Sequence, residues 1–420
     1  MIREITIVGG GFAGVRIAKQ LSRTMKNAHI TVIDREAYHT FYPNLYEVAT
    51  AHVSEFYERM PSTFYELRST VACPFSDIFL YDTNITFLHE EVSKIDCEQR
   101  QVYFKSGGTH AYDILVMGVG SETNYFGLSG LANNAFPLKT VWDALLMRDA
   151  LDEVFYRSSK QHTISLAIGG GGFTGCELAG ELAVFVDDLC QAHGHPPELV
   201  TITIIEAGPT LLGPLDPWTQ QKAFKRLTKL GIRCMFSSLI TDVREKSLVL
   251  KDGKVVEFDM LMWTAGVQGA ESARMLPNAH IQKNSCFTVD DYLRVPPHEN
   301  VFGAGDAAFC IDIASGRALP MTASVAEHQA GYIADSIYKT EEGKKLNPYQ
   351  PYKAGFVVPL GGKYAILDYH GMRIAGIIPW CIKQGISLYY WVGVLGLRRG
   401  WKLWIKGIHI FIRNDHKRSS

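Results

Sequence analysis

Short apolar runs that break at glycine-rich turns recur along the chain. Twice such a run leads into a helix-forming stretch and then a second apolar run that ends in an acid. Residues 4–14, EITIVGGGFAG, open with Ile5, Thr6, Ile7 and Val8, the pattern of a buried strand, and continue to glycines at 9, 11 and 14. A helix is expected over 15–23 and a second strand over 29–33, ending in Asp34. The order returns at 163–175, TISLAIGGGGFTG, with Gly170, Gly172 and Gly175 in the same phase, a helix expected over 176–185, and a strand over 200–205 ending in Glu206. Strand, tight turn, helix and strand, repeated, predict an α/β architecture with two Rossmann-like dinucleotide-binding domains.

Each glycine has a physical task. Gly9 permits the turn, Gly11 lets backbone N–H groups approach a pyrophosphate, and Gly14 lets the helix pack closely on the strand. The helix N-terminus then faces the phosphate charge. Asp34 stands where a carboxylate accepts hydrogen bonds from ribose hydroxyls. In the second copy Glu206 favours the free 2'-hydroxyl of NADH and repels the extra phosphate of NADPH, although an acid there also suits the turn Glu206-Ala207-Gly208-Pro209.

A third element separates the two sites. Residues 300–307, NVFGAGDA, read as a short strand delivering Asp306 just after a glycine, where the acid could hydrogen-bond a flavin ribityl chain. This resembles the late FAD motif of two-dinucleotide flavoproteins, so the first site is expected to hold FAD and the second NADH. Residues 113–123 and 259–267 are strands reaching glycine turns, with Gly120 and Ser121 in one and Gly266 in the other, at the expected crossings between domains.

With 420 residues, 47% of them hydrophobic, the chain can build at least two cores. Its 42 basic and 43 acidic residues balance, so charge points to no nucleic-acid partner. Eight cysteines show neither CxxC pairing nor metal-ligand spacing with histidine, so no metal site is expected and reduced cytosolic thiols are the simplest reading. A strand begins at Ile5, which leaves no room for a signal peptide, and the N-terminus is expected to be cytosolic.

From the first strand to about residue 400 the chain resembles the type II, or alternative, NADH:quinone oxidoreductases. The resemblance is carried by the glycine motifs, by residues 34–50 (DREAYHTFYPNLYEVAT) and by residues 170–182 (GGGFTGCELAGEL). It implies a ping-pong shuttle: NADH docks, hydride moves to the flavin, NAD leaves, and a quinone takes two electrons and two protons. The cofactor carries the redox chemistry, and the protein positions the nicotinamide, excludes water and supplies protons. By the resemblance Glu177 is the acid near the nicotinamide and quinone end. An acid in the first turn of a helix also suits the helix dipole. Glu181, one turn on, is given a structural role.

One segment departs from the family. Where the family reads Ala-Gln-x-Ala-x-Gln-Gln-Gly, residues 323–330 read ASVAEHQA, so Ser324 and His328 replace two glutamines, while Ala323 and Gln329 remain. The resemblance places this helix end by the flavin pyrimidine edge and the quinone tunnel mouth. His328 there could donate a proton to a reduced quinone, or simply replace an amide hydrogen bond. Lys383, in PWCIKQG, resembles a lysine of some family members and could pair with Glu177, or lie along an amphipathic helix.

Residues 374–397 are largely apolar, but Pro379, Lys383, Gln384 and several glycines interrupt them, which argues against a spanning helix. Beyond them, Trp401, Trp404, Ile405, Ile408, Phe411 and Ile412 fall at helical spacing. Lys402, Lys406, His409 and Arg413 fall opposite, with Leu403 and Ile410 at the flanks. After residue 397 seven basic residues (398, 399, 402, 406, 413, 417 and 418) face one acid, Asp415, a net of +6. At about 1 kcal/mol per basic residue near anionic lipid, plus aromatic insertion, the tail is expected to hold the protein peripherally on the cytoplasmic face of the cell membrane. The helix could instead pack on the core or on a second subunit, as a homodimer.

The expected organisation is an FAD domain over 1–120 completed by 290–345, an NADH domain over 121–289, and a membrane-facing region over 346–420. Two other functions compete. A sulfide:quinone oxidoreductase would use spaced cysteines, for which Cys176, Cys310 and Cys381 are available. A slow-turnover NADH sensor would bind both nucleotides and change partners on reduction.

Overall fold

The structure, a computed structural model, describes residues 3–51, 61–312, 316–351 and 355–412. Two compact units divide the chain. The first is Met1–Thr40, Cys73–Glu122 and Val267–Ala354; the second is Phe41–Ala72, Thr123–Gly266 and Gly355–Ser420.

In the first unit a six-stranded sheet runs in the order Arg294–Val295, His298–Gly303, Ile114–Met117, Glu4–Val8, His29–Asp34, Ile85–His89. All neighbours are parallel except the first pair, and Ile5 lies opposite both Ile30 and Ile114. Parallel strands covered on both faces read as continuous apolar runs, which is why 5–8 and 114–117 are wholly buried. The core beneath them gathers Val8, Ile33, Leu115, Met117, Phe287 and Val301. Strand His298–Gly303 joins this sheet after the second unit's sheet has been completed, the return that residues 300–307 predict.

The second unit repeats the plan. Its five strands run in the order Phe136–Pro137, Met260–Trp263, Ile164–Gly169, Val200–Ile205, Arg233–Met235, all parallel. A three-stranded antiparallel sheet, Phe356–Pro359, Ala365–Tyr369 and Met372–Gly376, then leads into two helices, Ile377–Leu395 and Leu397–Phe411, separated by Gly396 at φ +79°. Among the described residues no helix is long and apolar enough to cross a membrane.

Three features differ from the sequence expectations. Both fingerprint helices begin earlier than 15 and 176: they run Phe12–Thr24 and Phe173–His193, with Gly11 and Gly172 as N-caps. The last glycine of each motif therefore lies inside the first turn, where a helix N-terminus must sit if its free N–H groups are to face a phosphate. The second helix also continues well past 185, because Leu178, Leu182, Val186 and Leu189 keep one side buried until Gly194 stops it in the left-handed region at φ +64°. Finally, residues 41–72, expected in the first domain, cluster with the second unit, and 267–289 cluster with the first.

Candidate functional site

The two glycine motifs share their turns and their close contacts. A Cβ on Gly14 would lie 1.9 Å from the Gly9 carbonyl oxygen, and one on Gly175 would lie 1.9 Å from that of Gly170. Gly9 and Gly170 turn at φ +105° and +103°, each hard against the backbone of the next strand's loop. Between them Gly11 and Gly172 face open space, with nothing within 4 Å of a Cβ built on either. A turn, an open cradle and a close packing contact, each at a helix N-terminus, are what a dinucleotide pyrophosphate requires.

The acids complete the likeness. Asp34 accepts the Gly10 amide at 2.6 Å and the Glu36 amide at 2.8 Å; Glu206 accepts the Gly171 and Gly208 amides, both at 2.6 Å. Burial raises the Asp34 carboxyl above its usual range, against the lowering effect of those two amides. His39 braces the first cradle: its Nδ1 donates to the Gly10 carbonyl at 2.9 Å and its ring meets Phe12 edge-on. Burial pushes the imidazole down to about 4, so it is neutral at working pH. Nothing in the sequence pattern singles out His39, because a buried histidine shows no spacing of its own.

Still in the first unit, Ser121 donates to Asp306 at 2.5 Å, and Gly120 turns at φ +73° with open space beside it. Gln329 is 1% exposed, and its Oε1 accepts the Gly305 amide at 2.8 Å, which fixes the turn immediately before Asp306. Ala323 opens the helix Ala323–Glu341 behind the cap Thr322. Ser324 and His328 lie on the exposed side of this helix. Nδ1 of His328 is 2.9 Å from the hydroxyl of buried Tyr349, and burial lowers the imidazole's pKa.

In the second unit Gly266 accepts the Asn124 amide at 3.1 Å and lies against Phe126. A cluster of ionisable groups surrounds the start of the helix Phe173–His193. Lys383 is buried and forms its ion pair with Glu47, so it neither pairs with Glu177 nor lies as an exposed stem along its helix, the two alternatives the sequence left open. The short helix Leu45–Ala49 carries the Glu47 carboxylate to the ammonium, and Tyr46 donates to the same oxygen, Glu47 Oε1, at 3.0 Å. Glu177 is held among protein atoms with only part of its surface accessible. Burial raises its carboxyl to about 8, with Lys383 lowering it and Glu47 raising it. Glu181 is buried beside a small cavity that Glu47 also lines. Glu47 and Tyr46 lie within residues 34–50, where the resemblance to the family implies no role for either. An acid inside the apolar stretch LYEVA was the available signal.

The C-terminal helices divide their apolar residues unlike the sequence pattern. Ile410 and Phe411 are buried, whereas Ile378, Ile382, Ile386 and Tyr389 on one helix and Leu397, Trp401 and Ile405 on the next are exposed. Phe411 therefore belongs to the core and Ile410 is no flank of a polar face: the helix packs on Pro61–Val71, where Gly407 approaches the Thr70 carbonyl. Arg398, Lys402 and Lys406 are exposed beside the stripe; Arg413, Asp415, Lys417 and Arg418 lie outside the described residues. Of the cysteines, Cys176 and Cys310 are buried and burial raises both thiols, conditions that suppress thiolate chemistry.

The family model for pyridine nucleotide-disulphide oxidoreductases matches residues 3–330. The chain belongs to this family. Two curated relatives of the chain are type II NADH:quinone oxidoreductases. That of Staphylococcus aureus (strain bovine RF122 / ET3-1) is 28% identical over 412 residues, 94% of this chain and 97% of the relative; that of Staphylococcus saprophyticus is 27% identical over 388 residues, 89% and 91%. Among solved structures the fold matches NDH2 from Plasmodium falciparum in complex with NADH, at TM-score 0.83 and 18% identity over 99% of both chains. It also matches the sulfide:quinone oxidoreductase from Aquifex aeolicus, at TM-score 0.76 and 19% identity over 97% of this chain and 92% of that one. The open cradles at Gly11 and Gly172 fit the two nucleotides that such an oxidoreductase binds.

Proposed function

We propose that the protein oxidises NADH through FAD and reduces a membrane quinone by two electrons, without pumping protons. The carrying observation is the duplicated cradle, two open glycine turns each closed by a carboxylate, in a chain alignable almost end to end with type II NADH:quinone oxidoreductases.

Bound FAD supplies the relay between a hydride donor and a two-electron acceptor. In this reading Gly9, Gly11, Gly14 and Asp34 hold its pyrophosphate and ribose, Gly120, Ser121 and Asp306 hold the ribityl chain, and Ala323 opens the helix beside its ring. Gly170, Gly172, Gly175, Glu206 and Gly266 hold NADH, and the Glu206 carboxylate disfavours a 2'-phosphate. FAD is thus assigned to the unit that carries Gly9 to Asp34 and Asp306, and NADH to the unit that carries Gly170 to Gly266. Glu177 holds a proton near neutral pH, Lys383 tunes it, and Gln329 fixes the turn before Asp306. His328, with Tyr349, meets the acceptor. The exposed stripe from Ile378 to Ile405 and its basic neighbours attach region 346–420 to the cytoplasmic membrane surface, where a lipid-soluble quinone is found.

Anaerobic stopped-flow absorbance tests the reading. NADH is expected to bleach the flavin rapidly, NADPH slowly and sulfide not at all, and a short-chain quinone to restore the absorbance. Bleaching without restoration would remove the quinone assignment; bleaching by sulfide alone would remove the NADH one.

A further inference from the structure

Three carboxyl groups, Glu47, Glu177 and Glu181, act on Tyr46 near the start of the helix Phe173–His193, and the Lys383 ammonium pairs with the first of them. Glu47 and Tyr46 come from the helix Leu45–Ala49, Lys383 from the helix Ile377–Leu395, and Glu177 and Glu181 from successive turns of Phe173–His193 itself. Two cations on other elements packed on that helix have hydrogen bonds of their own. Arg226 donates to the carbonyls of Leu360 and Gly361, and Arg148 donates to the Ala51 carbonyl and to Asp149. Arg226 also feels Glu181, whereas burial first raises the Glu177 carboxyl, and the charges that then act on it are Lys383, which lowers it, and Glu47, which raises it.

Glu47 itself is unevenly served. Its Oε1 receives the Lys383 ammonium and the Tyr46 hydroxyl, while Oε2 is buried with no hydrogen-bond partner among the described residues. The ammonium also stands 5.2 Å from the Tyr46 ring centroid, so its position is bounded on two sides. Beside the cluster Glu47, Glu181 and Gln384 line a cavity of about 10 Å³, close to the size that admits one water. Glu47 and Glu177 both act on the one Lys383 ammonium, so where a proton sits between these two acids depends on which of them holds it.

We propose that Glu47 is a positioning residue: by keeping the Lys383 ammonium on one of its oxygens, it sets whether Glu177 carries the proton that each turnover must draw from water. The inference rests on the function proposed above for its use in turnover, though not for the coupling itself. Stoichiometry requires such a proton. Hydride from NADH brings two electrons and one proton; the quinone needs two electrons and two protons to become the quinol, so NADH, quinone and one proton from solvent yield NAD and quinol. Removing the Glu47 charge frees the ammonium to favour ionised Glu177, and removing the ammonium favours protonated Glu177. Opposite shifts from two neighbouring substitutions are what a coupling of charges produces and general loosening does not.

The test is a pH titration of the oxidised holoenzyme by infrared difference spectroscopy, following the carboxyl band that Glu177→Gln abolishes. Relative to the unsubstituted protein, Glu47→Gln is expected to lower the midpoint, and Lys383→Met to raise it, by about one pH unit or more in each case. Tyr46→Phe, which keeps the packing, is expected to shift it by less. Unchanged midpoints, or shifts of the same sign, overturn the proposal. Should Lys383→Met fail to fold, Glu47→Gln alone decides, since a midpoint that holds or rises overturns it. Quinone-dependent flavin reoxidation measured across the same pH range separates the two readings. If the infrared shifts are opposite and reoxidation does not follow them, the coupling stands and the quinone assignment falls.

Discussion

At the residue scale, space and charge assign different tasks to neighbouring positions. Gly14 and Gly11 are three residues apart and chemically identical, yet a Cβ on the first collides with the Gly9 carbonyl and a Cβ on the second meets nothing. Gly14→Ala is therefore expected to destabilise the fold by about 3 kcal/mol or more, because backbone must move. Gly11→Val should leave the folded apoprotein as stable as the parent and abolish flavin binding, since its side chain fills the cradle. Denaturant melts of the apoproteins and the flavin absorbance of the purified variants check both. A second expectation follows from Glu177. Its folded carboxyl sits at about 8 against 4.5 in the free side chain, so between those pH values the native state binds more protons than the unfolded one. Stability must then fall as pH rises through that window, on the order of 1 kcal/mol per pH unit for one proton. Melting curves from pH 5 to 8 should show a shallower decline in Glu177→Gln than in the parent; parallel curves would mean that Glu177 is ionised throughout.

At the element scale, the helix Leu397–Phe411 serves two surfaces at once. Its buried side, Gly400, Gly407, Ile410 and Phe411, packs within the second unit, while Leu397, Trp401 and Ile405 continue the exposed stripe of the preceding helix. Phe411→Ala is expected to cost about 3 kcal/mol of stability through the cavity it leaves. Trp401→Glu with Ile405→Glu should change stability by about 0.5 kcal/mol or less, yet weaken binding to anionic vesicles by about tenfold or more. Vesicle sedimentation at two salt concentrations and denaturant melts separate the effects. Retained vesicle binding in the double variant would leave the stripe to another partner, such as a second copy of the chain. Sequence periodicity alone assigned Phe411 to the membrane face, because a helical wheel records spacing and not which arc meets protein.

At the scale of the whole molecule, the two units repeat a parallel core of four strands in one order and one glycine geometry, which invites a division of labour. Gly172→Val is expected to yield protein with full flavin content whose absorbance NADH no longer bleaches, whereas Gly11→Val loses the flavin itself. Rapid bleaching of Gly172→Val by NADH would show that the second cradle does not hold the nicotinamide cofactor. Much of this organisation was legible in the chain: the two motifs, the acids 24 and 35 residues beyond Gly10 and Gly171, and the return strand before Asp306. The helix starts were not, because Phe12 and Phe173 lie within the motif, where spacing cannot separate a loop glycine from an N-cap.

By itself the sequence determined whatever depends on local order: strands from continuous apolar runs, turns from glycines, nucleotide cradles from a strand, a turn and a helix in fixed spacing, and the closing carboxylates Asp34 and Glu206. Tertiary structure alone decided which distant charges meet. Lys383 and Glu47 are joined across 336 residues of chain, His39 reaches the Gly10 carbonyl, and Gln329 holds the Gly305 amide. The reason is physical. Hydrophobic periodicity and turn chemistry act over a few residues, whereas the proton affinity of a buried acid depends on solvent exclusion and on every charge within several ångströms, and those distances exist only once the chain has folded.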